Sequence, residues 1–152
     1  MKKVLGLGNA LTDVLLQVSE DSLRELGLPK GSMNLITLEQ AEQIQMRFAS
    51  VRKRMVAGGS ASNTITTISQ LGGTAAFIGK IGNDEVGKFY REDMIKNGVT
   101  PILLTSSTQM SGCSVVLITP DGERTFATYL GAAADMHAED IKKEAFVGYD
   151  IF

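Results

Sequence analysis

The sequence predicts an α/β protein with a parallel core sheet and a smaller β excursion attached to it. Three observations carry this. Apolar runs of strand length alternate with amphipathic helical stretches from Lys2 to Gly98, the order that builds a parallel sheet. Seven of the sixteen glycines fall between residues 58 and 87, at the junctions where backbone freedom is wanted more than side-chain chemistry. Finally, two β-rich runs flank Pro120-Asp121-Gly122-Glu123, whose Pro and Gly suit a tight turn between antiparallel strands.

Taken in order, residues 2 to 8 read as a short strand ending in glycines, followed by a polar loop from Asn9 to Asp13 and a second strand from Val14 to Val18. Residues 21 to 27 predict a short helix stopped by Gly27 and Pro29, and Ser32 to Ile36 a strand. Thr37-Leu38-Glu39-Gln40 is a capping box opening a helix whose apolar face is Leu38, Ala41, Ile44 and Phe48. Arg54 to Ala57 reads as a strand running into Gly58-Gly59-Ser60. Ala61, Ile65 and Ile68 then keep helical spacing until Gly72-Gly73. Residues 74 to 81 predict a buried strand. Asn83 or Asp84 caps a helix through Lys96 that turns Val86, Phe89, Tyr90 and Met94 inward, and Gly98 ends it. The hairpin follows, Ser114 to Thr119 with Arg124 to Tyr129. Residues 137 to 146 predict a helix, and Tyr149 to Phe152 the opening of another strand.

Composition narrows the function classes. The 152 residues suit one domain or half of a larger one. Fifteen Lys and Arg against seventeen Asp and Glu leave a net charge of -2, and long blocks of like charge are absent, so neither nucleic acid nor an anionic membrane is expected as a partner. One Cys and one His supply no disulfide and no four-ligand zinc site. Cys113 lies in an apolar run, where a buried thiol is the ordinary expectation, and the cysteine usage points to the cytoplasm. The N-terminal stretch carries neither a signal-type apolar region nor an 18-residue span.

Two glycine motifs fail on inspection. Gly6-Leu7-Gly8 has Leu11 at the third glycine position of a dinucleotide fingerprint, and the next run is extended where a helix should open. Gly73 to Lys80 is one residue too long for a P-loop, with Thr74 in place of Gly and Ile81 after the Lys. Gly58-Gly59-Ser60-Ala61-Ser62-Asn63 is more informative, because adjacent glycines let a ligand approach the N-H groups of a helix N-terminus, and Asn63 offers both donor and acceptor from the first turn. A tight turn with Asn63 as a cap fits the same spacing. Asn9 and Asp13 have the same two readings, as turn residues or as hydroxyl ligands at the edge of an α/β sheet.

Five motifs in order resemble the PfkB family, the ribokinase-like sugar and nucleoside kinases. They are Gly8-Asn9-Ala10-Leu11-Thr12-Asp13, Ala57-Gly58-Gly59-Ser60-Ala61-Ser62-Asn63, Leu71-Gly72-Gly73, the run from Phe77 to Gly87, and Asp121-Gly122-Glu123-Arg124-Thr125. Thr128-Tyr129-Leu130-Gly131-Ala132 looks most like the adenosine kinase branch. The resemblance implies part of a Rossmann-type three-layer α/β sandwich with a small β-sheet lid. Core segments would cover about 1–11, 37–110 and 131–152, and lid strands about 12–36 and 111–130.

On the same resemblance Asp13 and Asn63 bind vicinal hydroxyls of a sugar or nucleoside, and the Gly58-Gly59-Ser60 backbone lets it lie close while Asn9 shapes the pocket. Arg124 stabilises the transferring phosphate, although a solvated hairpin charge fits the position too. ATP and Mg2+ are implied as co-reactants, but the family's Gly-Ala-Gly-Asp and Asn-x-x-Glu motifs are not found in these residues. Gly131-Ala132-Ala133-Ala134-Asp135 is no substitute, and no catalytic base or metal ligand is named here. The expectation is therefore the N-terminal, acceptor-binding portion of an ATP-dependent kinase, inactive alone, with a homodimer through the lid sheet. A ribokinase or fructokinase specificity and a non-catalytic binding or assembly module are the alternatives.

Overall fold

The computed structural model describes residues 2–152. In chain order these form β1 (Lys3–Leu7), β2 (Leu11–Gln17), α1 (Glu20–Glu25), β3 (Met33–Leu35), α2 (Leu38–Arg47) and β4 (Arg54–Gly58). There follow α3 (Ser60–Gln70), β5 (Thr74–Gly82), α4 (Glu85–Lys96), β6 (Thr100–Ser106), β7 (Gly112–Ile118) and β8 (Arg124–Tyr129). Three short 3-10 segments come last, at Gly131–Asp135, Ala138–Asp140 and Lys143–Phe146. No helix among the described residues is long and apolar enough to cross a membrane.

Two sheets organise these elements. The first is parallel, in the order β1-β5-β6. Its central strand is apolar on both faces, with Ala75, Ala76, Phe77 and Ile78 all buried, as a strand covered on two sides requires. One face packs Phe77 and Ile81 against Ile65 of α3 and Tyr90 and Met94 of α4. The other packs Leu5 and Ile78 against Met136, Ile141 and Tyr149 from the last segment. Helices, sheet and 3-10 segment thus make three layers. Pro101 is tolerated in β6 because an edge strand does not need every N-H for its ladder.

The second sheet has the order β3-β8-β7-β2-β4 and mixes parallel and antiparallel pairs. β2 alternates strictly, with Thr12, Val14 and Leu16 buried and Leu11, Asp13 and Leu15 half-buried, the pattern of a sheet covered on one face. Leu16, Val115 and Leu117 pack beneath Leu23 of α1, Ile44 of α2 and Phe48 at the end of α2. The capping box forms as its sequence predicts, Gln40 N-H donating to Thr37 and Thr37 N-H to the Gln40 side chain.

Three expectations need correction. The second strand begins at Leu11, so Asp13 stands within a strand and not in a loop; β4 and β7 pair with it from both sides, and both lie far away in the chain. Residues 54–58, grouped above with the core, form the outer strand of the second sheet, antiparallel to β2. The helix expected at 137–146 is broken into 3-10 turns by extended residues at His137, Ile141 and Lys142. Tertiary contacts outweigh its local helix propensity. Asp140 accepts from Lys80 Nζ at 3.0 Å and from His137 N-H at 3.0 Å, while Lys80 also donates to the Asp135 carbonyl at 2.6 Å. The strand at 100–106 has no counterpart in the sequence reading, and Tyr149–Phe152 makes a single parallel bridge, Val4 with Ile151.

Asp84 ties the two sheets together. Its carboxylate caps α4 by accepting Gly87 N-H at 2.8 Å, and also accepts Ser111 N-H and Ser111 Oγ-H, each at 2.7 Å, from the segment that leads into β7. Burial disfavours the charge, but these hydrogen bonds outweigh it and hold the pKa below the ordinary carboxylate range. Asp84→Ala removes the cap and leaves Ser111 N-H without its acceptor. Urea denaturation should register a loss of about 2 to 3 kcal/mol; a loss below about 0.5 kcal/mol would mean that this junction bears little of the fold's stability.

Candidate acceptor site

Where β1, β2 and β4 end against one another, a cleft of about 420 Å3 opens between the two sheets. Its polar side is built from Asn9 beyond β1, Asp13 on β2, Gly59 and Ser60 at the start of α3, and Asn63 one turn further. These residues come from two separate stretches of chain, 9–13 and 59–63, and five of the six predicted substrate-binding residues line it. The sixth, Gly58, lies behind them.

Gly58 is small for a steric reason. A Cβ there would stand 2.6 Å from the Asp13 carboxyl carbon and Oδ2, because the β2–β4 register sets Gly58 opposite Leu11, close beside Asp13. Gly59 is a conformational requirement: its φ of +97° is a left-handed value, and a Cβ would clash with the Asn9 carbonyl oxygen. The paired glycines therefore make room for Asp13 and Asn9 themselves. Helix α4 fixes this turn from behind. Asp93 accepts Ala57 N-H at 2.8 Å, and Tyr90 Oη-H donates to the Gly58 carbonyl at 3.4 Å. Burial pushes the Tyr90 phenol well above its ordinary pKa, so it remains a donor.

Burial also sets the charge of Asp13. It raises the pKa to about 6, opposed by the positive charge of Arg124. No hydrogen bond reaches the Asp13 carboxylate from the described residues. An acceptor with two lone-pair-bearing oxygens is thus turned to the cleft without a protein partner. Asn63 is exposed there; its N-H bonds the Gly59 carbonyl at 2.8 Å, but its side chain makes no cap, since α3 has no side-chain cap at all. That removes the capping reading and leaves the Asn63 amide free for a ligand.

Sequence reasoning missed the opposite wall. Ser114 and Thr128, hydrogen-bonded to each other at 2.7 Å, stand beside Asp13, while Met33, Phe126 and Leu130 supply an apolar surface facing the polar groups. Period-two alternation in the hairpin was the available signal, but which face looks inward depends on α1 and α2. Arg124 is exposed, shares the face of Asp13 through the pairs Gln17–Ile118 and Ile118–Arg124, and lies outside the cleft lining. Cys113 is buried, and that burial pushes its thiol up to about 11, which keeps it protonated at neutral pH. No group of three potential metal ligands occurs among the described residues.

Residues 31–149 match the model of the pfkB family of carbohydrate kinases. The chain belongs to this family. Its resemblance to adenosine kinase from Sinorhizobium meliloti spans 97% of the chain and 45% of that protein, with 32% identity and a TM-score of 0.82. A probable sugar kinase from Rhizobium etli matches over 95% of the chain and 43% of its own, at 31% identity and a TM-score of 0.83. Among curated relatives, aminoimidazole riboside kinase from Salmonella typhimurium is 32% identical over 62% of the chain and 30% of its own length. Probable fructokinase-4 from Arabidopsis thaliana is 39% identical over 52% and 24%. The architecture is thus ribokinase-like, and the chain spans less than half of these pfkB kinases.

Gly58→Ala should leave the fold intact, because no left-handed backbone is needed there, while displacing the Asp13 carboxylate. Circular dichroism should be unchanged while affinity for a cleft ligand falls about tenfold or more. Unchanged affinity would show that the position of Asp13 does not matter.

Proposed function

We propose that this pfkB-family chain provides the acceptor-binding side of an ATP-dependent kinase, acting on a primary hydroxyl of a nucleoside. One observation carries this: an unpartnered carboxylate and amide, Asp13 and Asn63, share a 420 Å3 cleft with the apolar wall of Met33, Phe126 and Leu130. Vicinal ribose hydroxyls donate to the carboxylate and exchange hydrogen bonds with the amide, while a planar base needs an apolar surface. Solved relatives support it, among them adenosine kinase from Schistosoma mansoni in complex with adenosine, 26% identical with a TM-score of 0.80. A free sugar is the second reading, favoured by the fructokinase relatives at up to 39% identity.

Catalysis in such an enzyme is largely positioning and electrostatics. Asp13 and Asn63 orient the acceptor, the second sheet acts as a lid that keeps water from the cleft, and Arg124 approaches the transferring phosphoryl group from the same face. ATP supplies that group. Apart from Arg124 at the transferring phosphoryl group, no residue of this chain is assigned to ATP, to Mg2+ or to the base that takes the acceptor proton, and the described acidic residues form no metal-binding cluster. The single buried thiol fits a cytoplasmic setting. A homodimer through the second sheet is the assembly proposed, because its edge strand β3 exposes Met33 (68%) and Leu35 (66%). Sedimentation of a Leu35→Glu variant as a smaller species than wild type would support that dimer.

In the kinase containing this chain, Asp13→Ala and Asn63→Ala should each raise the acceptor KM about tenfold or more. Arg124→Ala should lower kcat more than it changes KM. Steady-state rates on a panel of nucleosides and free sugars check all three and separate the two acceptor classes; unaltered constants would withdraw the assignments.

The pH profile is a second test. Protonation turns one Asp13 oxygen into a donor and removes the charge that strengthens bonds to the other, so the acceptor KM should rise as pH falls through about 6. With Asp13→Asn that rise should disappear. A KM that rises equally in the variant would assign the titration to another group.

A further inference from the structure

At the far end of β2 from Asp13's side of the cleft lies another opening, of about 540 Å3. Its apolar walls include Leu15, Val51 and Ile118, and three consecutive cations, Arg52, Lys53 and Arg54, line it. It exists because β4 starts at Arg54, paired with Leu15, so no strand covers that edge of β2 beyond this register. The acceptor cleft shares none of its residues.

The charges here are unusual in their placement. In an extended strand, successive side chains point to opposite faces, and three adjacent charges would divide between two surfaces. Residues 51–53 precede the strand in an irregular bend, and the three cations come to line one opening. No acidic residue lines it. None of the three forms an ion pair with the described carboxylates, whereas Arg24, Lys30, Arg47 and Lys80 do. Lys53 Nζ reaches only the Gln45 carbonyl, at 3.2 Å. In a chain of net charge -2 this concentration of like charge repels itself locally, and a bound anion would relieve it.

We propose that this cleft binds a small multivalent phosphate, either free or carried as the phosphate chain of a nucleotide. Two guanidinium groups offer paired N-H donors that match phosphate oxygens, and the lysine adds a point charge. The volume is that of a small-molecule site. The apolar walls give the body of a nucleotide a surface that free pyrophosphate would not use.

Calorimetric titration of the protein with inorganic pyrophosphate at constant ionic strength tests this, with ADP titrated separately. Wild type should show saturable one-to-one binding of pyrophosphate that weakens as salt is raised. The triple variant Arg52→Gln/Lys53→Gln/Arg54→Gln should bind it about tenfold more weakly or worse, with an unchanged circular dichroism spectrum. Should the triple variant fold poorly, Lys53→Gln alone should show an intermediate loss. ADP binding that pyrophosphate competes for and that the triple variant loses identifies a nucleotide as the ligand, and pyrophosphate binding that ADP does not displace identifies the free anion. Absence of saturable pyrophosphate binding, or equal affinity in wild type and triple variant, would overturn the proposal.

Discussion

The pairing of β2 with β4 is the constraint on which the candidate site depends. It places Gly58 so close to Asp13 that a Cβ would stand 2.6 Å from the carboxyl. It also runs the chain directly into the Gly59 turn and the uncapped start of α3. A carboxylate, an amide and a helix N-terminus are thereby fixed by one short antiparallel ladder. Burial within that sheet is what raises the Asp13 pKa to about 6, so the ladder controls both where the carboxylate is and when it is charged.

Helix α4 makes this arrangement rigid. Asp93 holds Ala57, Tyr90 holds the Gly58 carbonyl and the Asp84 cap holds Ser111, so one helix braces two segments, the end of β4 and the approach to β7. Such bracing has a functional use. In the proposed function, a site that orients a polyhydroxyl acceptor gains from groups already in place before the ligand arrives. The last segment, held by Lys80 to Asp135 and Asp140, covers the far face of the core sheet and leaves the cleft side open.

Much of this was legible locally. The Thr37 capping box, the Asp84 cap, the hairpin around Pro120-Asp121-Gly122-Glu123 and the strand, glycine turn and helix around Gly58-Gly59 all form where their residue patterns place them. Asn9, Asp13 and Asn63 were legible as candidate hydroxyl ligands by residue type and by the resemblance to a kinase family, and the fold brings them to one cleft. Residues 54–58 were misplaced because the choice between sheets is made by a partner about forty residues away. The expected helix at 137–146 failed because Lys80, on β5, draws Asp140 inward against local propensity.

The sequence alone determined the alternation of strands and helices, the caps and turns, and the residue types of the polar half of the site. These depend on neighbours within a few positions, where spacing and backbone preference act directly. Only the tertiary structure decided that Asp13 lies in a sheet and is buried enough to titrate near 6, and that Gly58 yields space to it. It also decided that Met33, Phe126 and Leu130 face it, and that Arg52, Lys53 and Arg54 line a second opening. Each of these follows from strand pairing between distant segments, whose register and buried face are set by the whole core and not by any one run of residues.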